Sequence, residues 1–219
     1  MAQVKAVLFD MDGLMFDTEC LASDFWKQAG AEAGVAISEE FLIYSRGSRS
    51  QEMERLFYRC HGEHTDFKGI RRRKRELLIH YLDTHEIPVK PGLYTLLEWL
   101  KKHHYKIWLT TSTESSRALR YVESAGVKDY FDGFICGDMV EHAKPDPEIF
   151  LRAADAAGVP PSECVVLEDS FNGIRAAIDG GFIPVMVPDL MQPTQELLLK
   201  LAAKPVTLEG VIAFLERRI

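Results

Sequence analysis

The sequence predicts an α/β fold: a Rossmann-like parallel sheet with helices on both faces and an inserted α-helical cap. Three observations predict it. Short apolar runs such as Val4–Phe9 and Cys164–Leu167 lack strict alternation, as strands covered on both faces do. From Gly92 onward such runs alternate with helical patterns, the order that builds a parallel sheet. Between Asp17 and Pro88 no strand pattern occurs, and that block far exceeds a βα loop of about 2–6 residues. The Rossmann-like core is therefore expected over 1–16 and 89–219, and the helical cap over 17–88.

Within the cap, Leu21, Phe25, Ala29 and Ala33 recur every fourth residue, and Gly34 marks a stop. Ser38 before Glu39 and Glu40 reads as a second helix start, and Ser50 as a third, with Met53, Phe57 and Cys60 inward. Asp66 opens a long helix with Ile70, Leu77, Tyr81 and Leu82 inward, and Pro88 and Pro91 end the block. The core resumes with a helix face of Leu93, Leu96, Leu97 and Leu100, then the strand Lys106–Thr111. Ser115 or Ser116 is suited to cap a helix carrying Leu119 and Val122, closed by Gly126. Gly133–Cys136 is a short strand, and Pro147 fits the first turn of a helix ending at Gly158. After the strand Cys164–Leu167 come a helix over Asn172–Asp179 and a strand over Phe182–Val187. Pro184 inside that strand places it at a sheet edge. Helices around Gln195–Ala202 and Leu208–Arg217 close the chain.

Composition narrows the function classes. The 219 residues are 47% hydrophobic and 27% charged, ordinary for a globular chain. A net charge of −7 argues against nucleic acid or an anionic membrane as the main partner. Cys20, Cys60, Cys136 and Cys164 are scattered and form no C-x-x-C, so they read as reduced thiols of a cytoplasmic protein. Cys20 follows the acidic pair but is expected to pack rather than react. The amino terminus lacks a secretory h-region, and no stretch is apolar enough to span a membrane. A monomer acting on a small molecule is the expectation.

The chemistry lies where the strands end. Ligands of open α/β sheets bind just past the carboxyl ends of the strands. The first strand ends in Asp10 and Asp12, close enough to repel unless a cation or proton intervenes. A hard, oxygen-seeking ion such as Mg2+ fits them. The second ends in Thr111, followed by Ser112 and Thr113. The third leads to Lys144-Pro145, and the fourth gives Glu168-Asp169-Ser170. These types suit phosphoryl transfer: a carboxylate nucleophile, a carboxyl that exchanges protons, hydroxyls for phosphate oxygens, a lysine and metal-binding acids.

The segments DMDGLMFDTE, TTS, AKPDP and LEDSFNG resemble the four motifs of the haloacid dehalogenase superfamily, in the branch of β-phosphoglucomutase and small sugar-phosphate phosphatases. The resemblance implies that Asp10 is the nucleophile and Asp12 the general acid/base. It implies that Thr111 binds the transferring phosphoryl group and Lys144 steadies Asp10 and the phosphate, with Ser112 and Thr113 as substrate-binding neighbours. Mg2+ would be held by Asp10, Asp169, the Asp12 backbone carbonyl, and Glu168 directly or through water. In the cap, Arg46 and Arg49 flank Gly47-Ser48 where family members present a loop to substrate, which makes both arginines substrate-binding candidates.

Two further clusters read as structural. Arg71 to Arg75 is expected to be a solvated helix face, and His61 and His64 lack a nearby third metal ligand. The expected reaction is Mg2+-dependent hydrolysis of a small phosphorylated metabolite, with sugar phosphate as the expected substrate class, through an aspartyl-phosphate. One rival is a phosphosugar mutase; another is a non-catalytic receiver-like phospho-acceptor, disfavoured by the Asp10-x-Asp12 order and the insertion. Against the mutase stands Ala22, at the position where β-phosphoglucomutase-like sequences carry a histidine after D-T-x-x-x.

Overall fold

The computed structural model describes residues 3–45 and 50–218. Arg46 and Arg49 lie outside the described residues. The chain divides into two compact units: residues up to Phe16 with those from Pro88 onward, and Asp17–Ile87.

The first unit is built on five parallel strands: β1 (Ala6–Phe9), β2 (Lys106–Thr111), β3 (Gly133–Cys136), β4 (Cys164–Glu168) and β5 (Ile183–Met186). Their order is β3-β2-β1-β4-β5. All four residues of β1 are fully buried, which is why its sequence is apolar without alternation. Phe9 is in register with Leu109 of β2 and Leu167 of β4, so these strands finish side by side. Their polar successors therefore share one end of the sheet. Pro184 sits in the edge strand β5, where a missing N–H costs least.

Among the described residues six α-helices accompany the sheet: α5 (Leu93–Lys102), α6 (Ser115–Ser124), α7 (Glu148–Ala157), α8 (Phe171–Asp179), α9 (Gln195–Leu198) and α10 (Gly210–Glu216). The four leucines of α5 are fully buried. Ile149, Phe150, Ala153 and Ala157 of α7 pack with Ala6, Leu8 and Val166 of the strands. Burying a side chain of Phe or Leu size contributes about 1.5–3 kcal/mol, so these faces decide which way each helix turns.

The structure departs from the sequence reading in two places here. The helix expected to Ala202 stops at Leu198, and Ala202 N–H instead donates to the Pro184 carbonyl at 2.8 Å. A bridge between Val185 and Ala203 follows, so the chain spends those residues on the open edge of β5 rather than on helix. Neither Ser115 nor Ser116 caps α6. Glu114 is the N-cap residue, and the Ser115 hydroxyl is drawn to Asp138 at 2.7 Å.

The second unit holds α1 (Thr18–Glu32), α2 (Glu39–Tyr44), α3 (Ser50–His61) and α4 (Phe67–Thr84). Ser38 and Asp66 cap α2 and α4 through their side chains, as read from sequence. The core is aromatic: Trp26 meets Phe41 edge-on at 5.0 Å and stacks on Phe67 at 6.1 Å, and Phe57 meets Phe41 at 5.1 Å. On α4 it is Leu78 that is buried, while Leu77 is half-covered against the aromatic cluster. His61 belongs to this core. Its Nε2 accepts the Ser38 N–H, its Nδ1 lies 3.0 Å from the Phe57 carbonyl, and its ring packs on Phe57. In the basic run, Arg73 bonds Glu32 at 2.6 Å, Arg71 lies over Phe67 and Lys74 over Trp26. No helix among the described residues is long and apolar enough to cross a membrane.

Candidate active site

The site is assembled at the carboxyl ends of β1, β2 and β4. Asp10 directly follows β1, and its N–H donates to the Leu167 carbonyl at 3.0 Å. The chain then folds back on itself. Gly13 N–H donates to the Phe16 carbonyl at 2.9 Å, and Met11, Leu14, Met15 and Phe16 are buried beneath the turn. Gly13 has φ +82°, a left-handed value, and a Cβ there would lie 2.3 Å from Asp169 Oδ2. Glycine is required twice over, by conformation and by space.

Lys144 reaches in from the loop before α7. Its Nζ donates to Asp10 Oδ1 and Glu168 Oε1, each at 2.6 Å, and to the Thr110 carbonyl at 3.0 Å. The ammonium also lies 4.9 Å from the Phe150 ring centre. Asp10, Lys144 and Glu168 are all buried. Burial alone would discharge the lysine, but Asp10 and Glu168 outweigh it and hold Lys144 firmly protonated. Asp10 is pushed well above the usual carboxylate range, first by burial and then by Glu168, with Lys144 pulling the other way. Burial comes first for Asp10; beside it, a single lysine faces more negative charge than it can neutralise.

That surplus is where a cation fits. Carboxylate oxygens of Asp10, Glu168 and Asp169 lie within 4.8 Å of one another. The donors are all oxygens, the set a hard divalent ion prefers. Glu168 is the most engaged of the group: Oε1 takes Lys144, and Oε2 takes the Ser170 N–H at 3.1 Å and hydroxyl at 2.8 Å. Ser170 also caps α8 by accepting the Gly173 N–H. A Cβ at Gly173 would lie 1.9 Å from the Glu168 carboxyl, so the first turn of α8 rests against that acid.

The hydroxyl loop follows β2. Thr111 is fully buried, and its Oγ1 accepts the Thr113 N–H at 3.1 Å. Thr113 donates its own hydroxyl to Asp12 Oδ2 at 2.7 Å. Ser112 is exposed and, with Lys144, Gly137, Val140, Ala143 and Ile149, borders a cavity of about 150 Å³. Asp10, Lys144, Glu168 and Asp169 are thus brought into one cluster, and Asp12 is tied to Thr113 beside it. The sequence reading puts Ser170 beside Glu168 and Asp169 but assigns it no contact, and it assigns no role to Thr110 or Gly173. Ser170 carried a signal, a serine three residues before glycine at a helix start. Thr110 carried none, because its contribution is a backbone carbonyl.

Comparison with known proteins places this geometry. The family model for haloacid dehalogenase-like hydrolases matches residues 4–181. A phosphorylated carbohydrates phosphatase of Thermotoga maritima is 32% identical over 183 residues, covering 81% of this chain and 82% of that protein. A β-phosphoglucomutase of Bacillus subtilis is 28% identical over 192 residues, covering 84% and 83%. The crystal structure of CbbY from Rhodobacter sphaeroides in complex with phosphate superposes with a TM-score of 0.78 at 25% identity, over 97% of this chain and 99% of that one. With an acid-rich cluster around a buried lysine at the strand ends and a family match over most of its length, this chain belongs to the haloacid dehalogenase-like hydrolases.

Proposed function

We propose that the protein is a Mg2+-dependent phosphatase that hydrolyses a small sugar phosphate through an aspartyl-phosphate on Asp10. The observation that carries this reading is the buried Asp10, held at 2.6 Å by Lys144 in a cluster that also contains Glu168 and Asp169. The similarity to a phosphatase of phosphorylated carbohydrates supports the substrate class. Asp10, Glu168 and Asp169 would hold the Mg2+, with Asp12 adding its backbone carbonyl. When bound, the ion would neutralise charge on the phosphoryl oxygens.

The steps belong to the chain. A carboxylate oxygen of Asp10 attacks phosphorus while the ester P–O bond breaks, and Asp12 gives its proton to the departing oxygen. Water then attacks the phosphorus of the aspartyl-phosphate, Asp12 takes the water's proton, and Asp10 leaves as a carboxylate. Lys144 offsets the charge on Asp10 and the phosphate, and Thr111 lines the phosphoryl position. The helical unit, Asp17–Ile87, would serve as the cap domain.

The test is phosphate release from a panel of sugar phosphates with purified protein. Turnover should need Mg2+, stop with EDTA, and fall more than about a hundredfold in Asp10→Asn, because a lost nucleophile costs several kcal/mol of barrier. Full turnover in metal-free protein would remove the metal assignment. A phosphosugar mutase is the second reading, favoured by the similarity to β-phosphoglucomutase.

A further inference from the structure

We propose that Thr113 is a positioning residue, holding the Asp12 carboxyl in the orientation from which it exchanges protons. The inference rests on the acid/base role given to Asp12 above. It assigns the Thr113 hydroxyl to the enzyme's own acid rather than to substrate.

The geometry is specific. Thr113 Oγ1 donates to Asp12 Oδ2 at 2.7 Å, across a sequence separation of 101 residues. Asp12 lies in the turn after β1, and its carboxyl turns about two side-chain bonds, so a hydrogen bond from elsewhere in the chain bears on its orientation. Thr113 is itself immobilised. Its N–H donates to Thr111 Oγ1 at 3.1 Å, and its carbonyl accepts the Gly137 N–H at 3.0 Å. Gly137 allows that approach because a Cβ there would come within 2.2 Å of the Ser112 carbonyl oxygen. One residue further on, Asp138 Oδ1 accepts both the N–H and the hydroxyl of Ser115, at 2.9 and 2.7 Å. The loop after β2 is thus strapped at two successive points to the loop after β3. A β-branched side chain with few χ1 choices then presents its hydroxyl from a fixed backbone.

Thr113 moves no proton in the cycle; it remains a hydrogen-bond donor to Oδ2 in both half-reactions. A carboxyl that must serve first as acid and then as base gains from being fixed once for both steps.

The experiment compares Thr113→Val, which keeps the shape, with Thr113→Ser, which keeps the hydroxyl. Turnover is read on 4-nitrophenyl phosphate and glucose 6-phosphate in Mg2+, with thermal melting as the check on folding. The expected result for Thr113→Val is kcat lower by about 10- to 100-fold with KM within about 3-fold, part of the rate that a placed acid/base supplies. Thr113→Ser should recover kcat to within about 5-fold of wild type. If Val does not fold, Thr113→Ala carries the same expectation. A raised KM with unchanged kcat would make Thr113 a substrate ligand and overturn the proposal. Equal losses in Val and Ser would overturn it too, since the hydroxyl would not be the cause. Wild-type protein that releases no phosphate from either ester or the wider panel would overturn the phosphatase reading first, and the inference with it.

Discussion

Gly13 and Asp169 are fitted to each other: a methyl group at position 13 would meet Asp169 Oδ2 at 2.3 Å. One residue belongs to the turn after β1 and the other to the end of β4, so the turn and the acid of the proposed metal site share one packing problem. The turn can approach only because it has no side chain at that point.

Gly13→Ala should therefore damage the site more than the fold. The φ of +82° makes any L-residue there strained by about 1–2 kcal/mol, and the methyl must also displace Asp169. The expected outcome is a modest fall in melting temperature and a Mg2+ affinity weaker by about 10- to 100-fold, as when a ligand's support is disturbed. Isothermal titration of Mg2+ and thermal melting measure the two separately. Unchanged Mg2+ affinity would show that Asp169 is not a metal ligand.

Lys144→Ala tests the charge balance of the cluster. Asp10 and Glu168 would be left as buried acids without their shared cation, a change that typically costs about 3–5 kcal/mol. Chemical unfolding should show that loss, and phosphate release should fall by at least about a hundredfold, since the charge on the nucleophile and phosphate goes uncompensated. High Mg2+ should restore some stability, because the ion supplies positive charge to the same carboxylates. A variant as stable as wild type would mean that Asp10 and Glu168 are not both charged in the native protein.

Much of the sheet was legible in the sequence, for identifiable reasons. Lys106–Thr111 and Gly133–Cys136 match β2 and β3 residue for residue, because polar or glycine-rich breaks bound each apolar run. The convergence of Asp10, Lys144, Glu168 and Asp169 followed from one rule, that parallel strands deliver their successors to one end. What escaped depends on long-range partners. Ser115 reads locally as a cap, but Asp138, 23 residues away, takes its hydroxyl. Thr113 reads as a substrate-side hydroxyl, and nothing local in the sequence announces its bond to Asp12, 101 residues away. Leu77 and Leu78 are adjacent leucines; Leu77 packs half-covered against the aromatic cluster while Leu78 is buried, a choice that tertiary packing makes and local periodicity does not.

Glu148 predicts a pH dependence of stability. The Glu141 N–H, followed by the His142 N–H and ring and by Arg152, holds its carboxyl at about 2, below its ordinary 4.5. This clamp fixes residues 141–142, just ahead of Lys144. A carboxyl depressed on folding stabilises the protein fully above its unfolded value and loses that contribution as pH falls through the folded one. The margin in melting temperature between wild type and Glu148→Gln should therefore be constant above about pH 5.5 and shrink between roughly 4.5 and 2. A margin that grew on acidification would reverse the assigned sign.

The last prediction is that the enzyme releases phosphate rather than moving it between sugar positions. Phosphatase and mutase share the nucleophile, the proposed Mg2+ site and the lysine; they differ in what attacks the aspartyl-phosphate. A mutase must hold a bisphosphate in either orientation, which calls for cations around a second phosphate position. From the end of β2 into the first turn of α6, residues 112–117 carry only Arg117 as a cation, and Glu114 lies 3.8 Å from it. Ser115 of the same stretch is bound to Asp138, whose carboxyl the Ser115 hydrogen bonds keep below its ordinary value, hence charged. Those acids repel a second phosphate. In α1, Ala22 occupies the position where the resemblance expects a histidine, and alanine neither gives a proton nor binds phosphate. The measurement supplies β-glucose 1-phosphate with a trace of the 1,6-bisphosphate and follows glucose 6-phosphate and free phosphate together. Free phosphate should dominate. Isomerisation at least about tenfold faster than release, a difference of about 1.4 kcal/mol between the two barriers, would make the protein a mutase instead.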